Sequence, residues 1–287
     1  MEHAAAVSTW IVAVVLSTAV FHAGWNAVLR HGRDQLWTSA LIAMGGAAVS
    51  ASFLPFLPLP HAAALPFVVA SFILHTIYRV LLIYAYRWGE LGAVYPIARG
   101  SAPLLVTAGA ALFAGERLSA PALAAIAVIS VGIIALSRSH RATATPRRAL
   151  VLAVATGVTI ATYSVVDGIG ARLSGNPFSY AFWLEASECL PWPAILLLRR
   201  GTLRGERAAP GDGVRAVLAG AVSIIAYGIV LWAMIRGALG IVSALRETSV
   251  VFAALIGWVF LHERLSWRRF AACGVIATGV VLLALVR

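Results

Sequence analysis

GAVYPIARGSAPLLVTAGAALFAGERLSAPALAAIAVISVGIIALS, residues 92–137, decides the fold, because residues 239–284 contain a second version of it. A shift of 147 residues aligns the two copies without a gap. It pairs Arg99 with Arg246, Glu116 with Glu263, Leu118 with Leu265 and Gly132 with Gly279. Each copy contains an apolar segment with an arginine near its start, an acidic turn and a second apolar segment. A long internal repeat of this kind defines the architecture of a chain.

The composition favours a membrane protein with several spans. Apolar residues make up 61% of the chain and charged residues 11%, with a mean hydropathy of +0.91, which exceeds what a soluble domain needs. The net charge of +11 comes from arginines in short gaps between apolar segments, which is typical of a cytoplasmic membrane face rather than a nucleic-acid site. Cys189 and Cys273 lie in apolar segments without metal-ligand spacing, so we expect no disulfide, metal or cofactor.

Ten segments have the length and apolarity of a membrane-spanning helix, which takes about 20 residues. They predict an all-α integral membrane protein, because only closed hydrogen bonding satisfies a backbone in lipid. No arginine or lysine precedes the first segment, so we interpret it as a spanning helix and not a cleaved signal. The predicted spans are Val7–Leu29, Leu36–Phe56, Ala63–Tyr86, Ala93–Ala114, Pro121–Leu136, Ala149–Ile169, Phe178–Leu198, Val214–Met234, Gly240–Leu261 and Phe270–Val286.

The ten spans divide into two repeats of five, predicted at residues 1–140 and 147–287, with a hinge loop at 138–148. Because five is odd, the second repeat enters the membrane from the opposite side. The two repeats are therefore predicted to be inverted about a pseudo-two-fold axis in the membrane plane. This plan is typical of secondary transporters, which bind substrate near the midplane between the repeats.

Ionisable side chains inside the bilayer cost roughly 2.5–3.5 kcal/mol each on insertion scales, so those present are informative. The ionisable residues that lie within the predicted spans are Arg79, Arg99, Arg246, Asp167, Glu185, Glu188 and Glu247. Glu247 and Asp167 are each predicted either to couple transport to protons or to tie helices together. Glu185 and Glu188 are three residues apart and form either a pair facing a cavity or an exposed patch.

Arg99 and Arg246 are the strongest candidates for substrate binding. Each lies about six residues inside its span, or about 9 Å at the helical rise, and the inverted topology brings both close to the midplane of a core about 30 Å thick. A guanidinium group suits a carboxylate or phosphate. The alternative is internal pairing, for example of Arg246 with Glu247 or Asp167. Neighbours on a helix point about 100° apart, so we expect Arg246 and Glu247 to be poorly placed for each other.

Polar faces on three other spans complete the predicted site. His75 and Arg79 share one face of the third span, and Arg79 either contacts substrate or extends toward the cytoplasmic edge. The polar faces of the first and sixth spans are related by a shift of 141 residues, which aligns Tyr163 with His22 and Asp167 with Asn26. The residues predicted to bind substrate are Arg246, Arg99, Arg79, His22, Trp25, Tyr78, Tyr163, Tyr227 and Trp232.

The chain resembles the EamA branch of the drug/metabolite transporter superfamily. The resemblance rests on the inverted five-plus-five plan, the run Phe21–Asn26, the run Tyr163–Gly168 and the acidic turns Gly115–Leu118 and His262–Leu265. It implies a ten-helix permease of the inner cell membrane that moves an amino acid, sugar, nucleotide-linked compound or other metabolite, often outward.

The leading functional hypothesis is a carrier for a small polar or anionic metabolite that works by alternating access. The alternatives are a non-transporting membrane subunit, a lipid translocator and an enzyme acting on lipid-linked substrates. We do not expect an enzyme, because the sequence has no catalytic carboxylate pair, no histidine cluster with metal spacing and no nucleophile motif. The expected partners are a small-molecule substrate and the lipid bilayer, without nucleic acid, and both a monomer and a homodimer are compatible with the sequence.

The arginine distribution predicts which end of the molecule is cytoplasmic. Alternate loops contain most of the arginines, namely Arg30, Arg33, Arg87, Arg138, Arg141, Arg147, Arg148, Arg199, Arg200, Arg204, Arg207, Arg215, Arg264, Arg268 and Arg269. By the positive-inside rule this end faces the cytoplasm and both termini lie outside. A reporter fused after Arg287 should therefore be active only on the outer side of the membrane, and activity in the cytoplasm would reverse the assignment.

Overall fold

The computed structural model describes residues 8–31, 34–88, 91–137, 146–203, 211–261 and 266–286. All regular secondary structure in these ranges is helical, which confirms the predicted all-α fold. Two 3-10 turns, Leu54–Phe56 and Ala62–Ala64, precede α3. The α-helices are α1 (Thr9–His31), α2 (Gln35–Phe53), α3 (Leu65–Trp88), α4 (Leu91–Phe113), α5 (Ala120–Ser137), α6 (Arg147–Leu173), α7 (Pro177–Glu188), α8 (Pro191–Arg200), α9 (Asp212–Met234), α10 (Leu239–Glu247), α11 (Ser249–Leu261) and α12 (Trp267–Leu285).

Nine helical segments within these ranges are long and apolar enough to cross a membrane. The remaining predicted span, the seventh (Phe178–Leu198), is divided into α7 and α8 because Pro191 starts the second piece and a proline has no N–H for the preceding turn. The ninth span is also divided, at Thr248, where α10 ends and α11 begins. Its two pieces together still count among the nine.

The contact between α5 and α12 is reciprocal, as a two-fold axis between inverted repeats requires. A β-carbon added to Gly132 would lie 2.7 Å from Cγ1 of Ile276, and one added to Gly279 would lie 2.6 Å from Cγ1 of Ile129. The shift of 147 residues relates the first pair to the second. The boundaries at 1–140 and 147–287 stay a prediction, and residues 138–145 of the hinge loop lie outside the described residues.

The first helix of each repeat packs among helices of the other repeat. Helix α6 packs along α3 and α4, while α1 packs along α9 and against α10 and α11. Helices α2 and α9 also cross closely. The polar faces predicted on α1 and α6 are therefore placed at the interface between the two halves.

The first acidic turn ties three segments together at the end of the molecule with few arginines. The carboxylate of Glu116 accepts hydrogen bonds from Arg172 at 2.6 Å and from the backbone N–H of Leu239, the first residue of α10, at 2.9 Å. Arg172 also donates to the carbonyl oxygens of Met234 and Gly237. We call these five residues the Glu116 clasp. The second acidic turn, His262–Leu265, lies outside the described residues.

Because α5 and α12 approach closely, we expect alanine substitutions at two glycines of α12 to differ in their effect on stability. Gly279→Ala would place a methyl group 2.6 Å from the side chain and 3.0 Å from the backbone of Ile129, so we expect a loss of about 1–3 kcal/mol from overpacking. Gly274→Ala is the matched control, because no atom lies within 4 Å of its added carbon. The thermal unfolding midpoint in detergent measures both. Equal midpoints would contradict the described packing.

Candidate functional site

Two arginines from different repeats share one carboxylate in the interior. Glu247 accepts a hydrogen bond from Nη1 of Arg99 at 2.7 Å and bonds from Nε and Nη2 of Arg246 at 3.1 and 2.9 Å. All three side chains are buried. We call Arg99, Arg246 and Glu247 the arginine cluster. The residues that the 147-residue shift pairs thus come together across the interface.

The expectation that Arg246 and Glu247 are poorly placed for each other was wrong. The arginine side chain is long enough for its Nε and Nη2 atoms to reach the neighbouring carboxylate, so the 100° rotation between neighbours does not prevent pairing. The proposed pairing of Arg246 with Asp167 is also not what the structure shows. Asp167 accepts hydrogen bonds from the hydroxyl groups of Tyr180 and Tyr227 instead.

The arginine cluster lies at the break in the ninth span. Helix α10 ends at Glu247, and the hydroxyl of Thr248 donates to the carbonyl oxygen of Leu245 at 2.6 Å. Arg246 is therefore in the last turn of a half-helix, where the negative end of the helix dipole favours a cation. Discontinuous helices of this kind form the binding sites of many secondary transporters.

Aromatic side chains surround the two guanidinium groups. Arg246 lies over the ring of Tyr163 at 5.9 Å and Arg99 over the ring of Tyr95 at 5.2 Å, both within cation–π range. The ring of Tyr163 also meets Tyr78 edge to face, with centroids 5.7 Å apart. Ser164, which follows Tyr163 on α6, accepts a hydrogen bond from Nη2 of Arg246 at 3.1 Å.

The polar groups of α1 bond mainly within their own helix. Nδ1 of His22 lies 3.0 Å from the carbonyl oxygen of Thr18, and the amide of Asn26 donates to the carbonyl oxygen of His22 at 2.7 Å. The Asn26 bond is thus within the helix and not between helices. The ring of Trp25 lies 6.3 Å from that of His22. Within the described ranges, the buried Nε1 of Trp25 has no hydrogen-bond partner.

The cluster has an excess of positive charge and one orphan donor. Arg99 and Arg246 contribute two positive charges and Glu247 one negative charge, which leaves one positive charge uncompensated by an ion pair in the cluster. Nε of Arg99 is buried and has no hydrogen-bond partner among the residues that the structure describes. A buried donor without an acceptor is costly, and native structures seldom retain one without a reason.

Arg79 belongs to a neighbouring ionic group rather than to the arginine cluster. It forms an ion pair with Glu188 of α7 and lies 5.9 Å over the ring of Trp192. His75 connects this group to the aromatic wall, because its ring stacks on Tyr163 at 4.0 Å and its Nδ1 lies 3.8 Å from Glu188. Arg79 therefore does not extend freely to the cytoplasmic edge.

Other predicted site residues lie away from the arginine cluster. Trp232 packs against Trp10, with ring centroids 5.1 Å apart, and under Arg236 toward the Glu116 clasp. Tyr227 belongs to the Asp167 group. Spacing along the sequence missed Ser164 and Tyr180, because an unremarkable hydroxyl on an apolar helix becomes significant only when another helix brings a charge to it.

These observations define the class of protein. A buried charged cluster at a broken helix, between two inverted halves of a multi-pass helical chain, is the arrangement of a membrane transporter. The model of the EamA-like transporter family matches residues 147–285. Residues 147–285 are thus similar to this family, which is part of the drug/metabolite transporter superfamily and consists of transporters.

The fold is also found among solved structures. One crystal structure aligns with 98% of this chain and with 100% of its own, with a TM-score of 0.77 and 18% sequence identity. At that identity the likeness concerns the fold alone. No curated protein matches the chain by sequence.

Removal of the negative charge of Glu247, which Arg99 and Arg246 share, should lower the free energy of unfolding strongly. Glu247→Gln would leave two buried guanidinium groups without a counter-ion, and we expect a loss of about 3–5 kcal/mol. Glu116→Gln is the control, because the side chain of its partner Arg172 is 32% exposed and solvent screens such pairs to about 1 kcal/mol or less. Thermal unfolding in detergent should show a much larger drop for Glu247→Gln. Similar drops would contradict the central role of Glu247.

Proposed function

We propose that the protein is a secondary carrier, and not an enzyme, that moves a small anionic or polar metabolite, such as an amino acid or a related compound, across the inner membrane by alternating access. The observation that carries this proposal is the positive excess of the arginine cluster together with the unpartnered Nε of Arg99. The resemblance to exporting members of the family favours outward transport.

An anionic group on the substrate would compensate both the positive charge of the arginine cluster and the unpaired Nε donor of Arg99. A carboxylate placed at Arg99 would supply the missing negative charge and accept a hydrogen bond from the free Nε. Charge-assisted hydrogen bonds of this kind are worth about 1.5–3 kcal/mol, and guanidinium geometry suits two-oxygen anions. Glu247 would meanwhile keep both arginines in place when no substrate is bound.

The surroundings of the cluster support a small substrate with an apolar part. The rings of Tyr78, Tyr95 and Tyr163 offer flat apolar faces and hydroxyl groups, and His22 lies buried nearby on α1. Beside His22, the buried Nε1 of Trp25 also lacks an acceptor among the residues that the structure describes. A small amino or organic acid can use an anion site and an aromatic wall at once.

Two further features support alternating access. The cluster is closed to solvent, since the exposed fractions of Arg99, Arg246 and Glu247 are 3%, 1% and 0%. The Glu116 clasp joins the two repeats at one end of the molecule, and it holds the start of α10, the helix that carries Arg246 and Glu247. A rocking motion between the halves would have to release that clasp.

Counterflow into proteoliposomes tests the proposal directly. The purified protein would be offered a panel of labelled amino acids and small organic acids, and accumulation of at least one of them is expected. Formation of a modified product instead of accumulation would favour an enzyme, and no uptake of any compound would favour a non-transporting subunit.

Substitutions of Arg99 and Arg246 test whether these two residues bind the substrate. Arg99→Gln and Arg246→Gln should each reduce counterflow of the accepted substrate about tenfold or more, because each loses a charge-assisted hydrogen bond. Arg236→Gln is the matched control, since Arg236 is at the surface over Trp232 and should keep near-normal flux. Normal flux of every accepted substrate in both site variants would refute substrate binding by the arginines.

A further inference from the structure

Glu185 of α7 is a buried acid whose carboxylate lacks a donor. Its side chain is 94% buried (6% exposed), and Oε1 packs so closely against Gly46 of α2 that an added β-carbon there would collide with it. No hydrogen bond or ion pair joins it to another residue within the part of the chain that the structure describes. A charged carboxylate in this position would be desolvated without compensation.

The nearest charges offer Glu185 little compensation. Glu188, one turn further along α7, takes Arg79 as its ion-pair partner, so a single cation serves two acids. The titratable groups that face this region from the packed helices are Arg79 and His75 of α3, Asp167 of α6 and Tyr227 of α9, while α2 contains no ionisable residue. Burial and a neighbouring acid both favour the neutral form of a carboxyl group.

Two other buried acids of the core, Glu247 and Asp167, have the hydrogen-bond donors that Glu185 lacks among the described residues. Glu247 receives hydrogen bonds from two guanidinium groups, and Asp167 receives bonds from two tyrosine hydroxyls. Hydrogen bonds to a carboxylate stabilise its charged form. Among these buried acids, Glu185 is the one that can gain and lose a proton with the smallest change in its surroundings.

We infer that Glu185 is the proton-binding site of this protein, and that protonation there is coupled to substrate movement at the arginine cluster. The coupling rests on the proposed carrier function, whereas the proton site does not. The step is a simple proton transfer: a carboxylate oxygen of Glu185 takes a proton from a hydronium ion, a water molecule is released, and the carboxylate becomes a neutral carboxylic acid.

A small cavity lies beside Glu188, one turn from Glu185 along α7. It has room for about one water molecule and is lined by His75, Thr76, Arg79, Glu188, Pro191, Trp192 and Ile195. The cavity thus touches the cation and the acid that act on Glu185. It also lies at the break between α7 and α8, where the helix ends at Glu188 and resumes at Pro191.

A continuous series of contacts joins the acid pair to the arginine cluster. Glu188 lies beside His75, His75 stacks on Tyr163 at 4.0 Å, and Tyr163 lies under Arg246 at 5.9 Å. When Glu185 loses its proton, Arg79 faces two carboxylates instead of one, and its hold on Glu188 weakens. Glu188 then interacts more strongly with His75. The ring of His75 stacks on Tyr163, which forms part of the proposed substrate site.

Infrared difference spectroscopy of the full chain in lipid nanodiscs tests the proton site without a substrate. The carbonyl stretch of a protonated carboxylic acid should persist above about pH 4, where exposed carboxyl groups ionise, and this band should disappear as the pH rises further. Glu185→Gln should abolish this titrating band, whereas Asp167→Asn, the control at another buried acid, should retain it. Glu185→Asp keeps a carboxyl group and should retain a titrating band at a shifted frequency.

Two results would overturn the assignment: a titrating band that survives Glu185→Gln, or no such band in the wild-type protein. The outcome is separable from that of the transport experiment. Loss of the band in Glu185→Gln together with no counterflow would establish the proton site and remove the carrier function. Counterflow with a surviving band would establish the carrier and remove the proton site.

Discussion

The carboxylate of Glu247, held by two guanidinium groups, is the interaction on which the arrangement of the core depends. Charges of one sign repel strongly where the dielectric constant is low, so Arg99 and Arg246 could not approach each other inside a membrane without it. Because Arg99 is on α4 and Arg246 on α10, the same contact also joins the two repeats. The fold and the candidate site therefore share one electrostatic constraint.

The two repeats differ at the position where this acid stands. The shift of 147 residues pairs Glu247 with Gly100, and α4 continues through that position while α10 ends at it. A β-carbon at Gly100 would lie 2.6 Å from Cγ1 of Ile134, so α4 needs glycine there to pack on α5. One copy of the repeat thus supplies close packing and the other supplies charge, which is why two arginines share a single carboxylate.

Much of the fold was predictable from the sequence, because hydropathy and an odd number of spans per repeat determine the architecture. The convergence of Arg99 and Arg246 also followed from the repeat. The division of the seventh span had a signal in Pro191 and Pro193.

The partners of the charged groups could not be predicted in the same way. Helical spacing says which residues share a face but not which helix packs opposite. The pairing of Arg79 with Glu188 and the bonds from Tyr180 and Tyr227 to Asp167 depend on helices brought together by the whole fold. The prediction that Arg246 and Glu247 would not pair was wrong for a different reason. The spacing rule describes the directions of the Cβ atoms and ignores the length of the arginine side chain.

The Glu116 clasp has a mechanical consequence for the interior. Its carboxylate anchors the first residue of α10, and the last two residues of the same helix are Arg246 and Glu247. A helix of nine residues is a stiff rod about 13 Å long, so displacement at its outer tip is transmitted to its inner tip almost undiminished. Release of the clasp would shift Arg246 and Glu247 relative to Arg99 on α4, and the spacing of the three charged side chains in the interior would change with it.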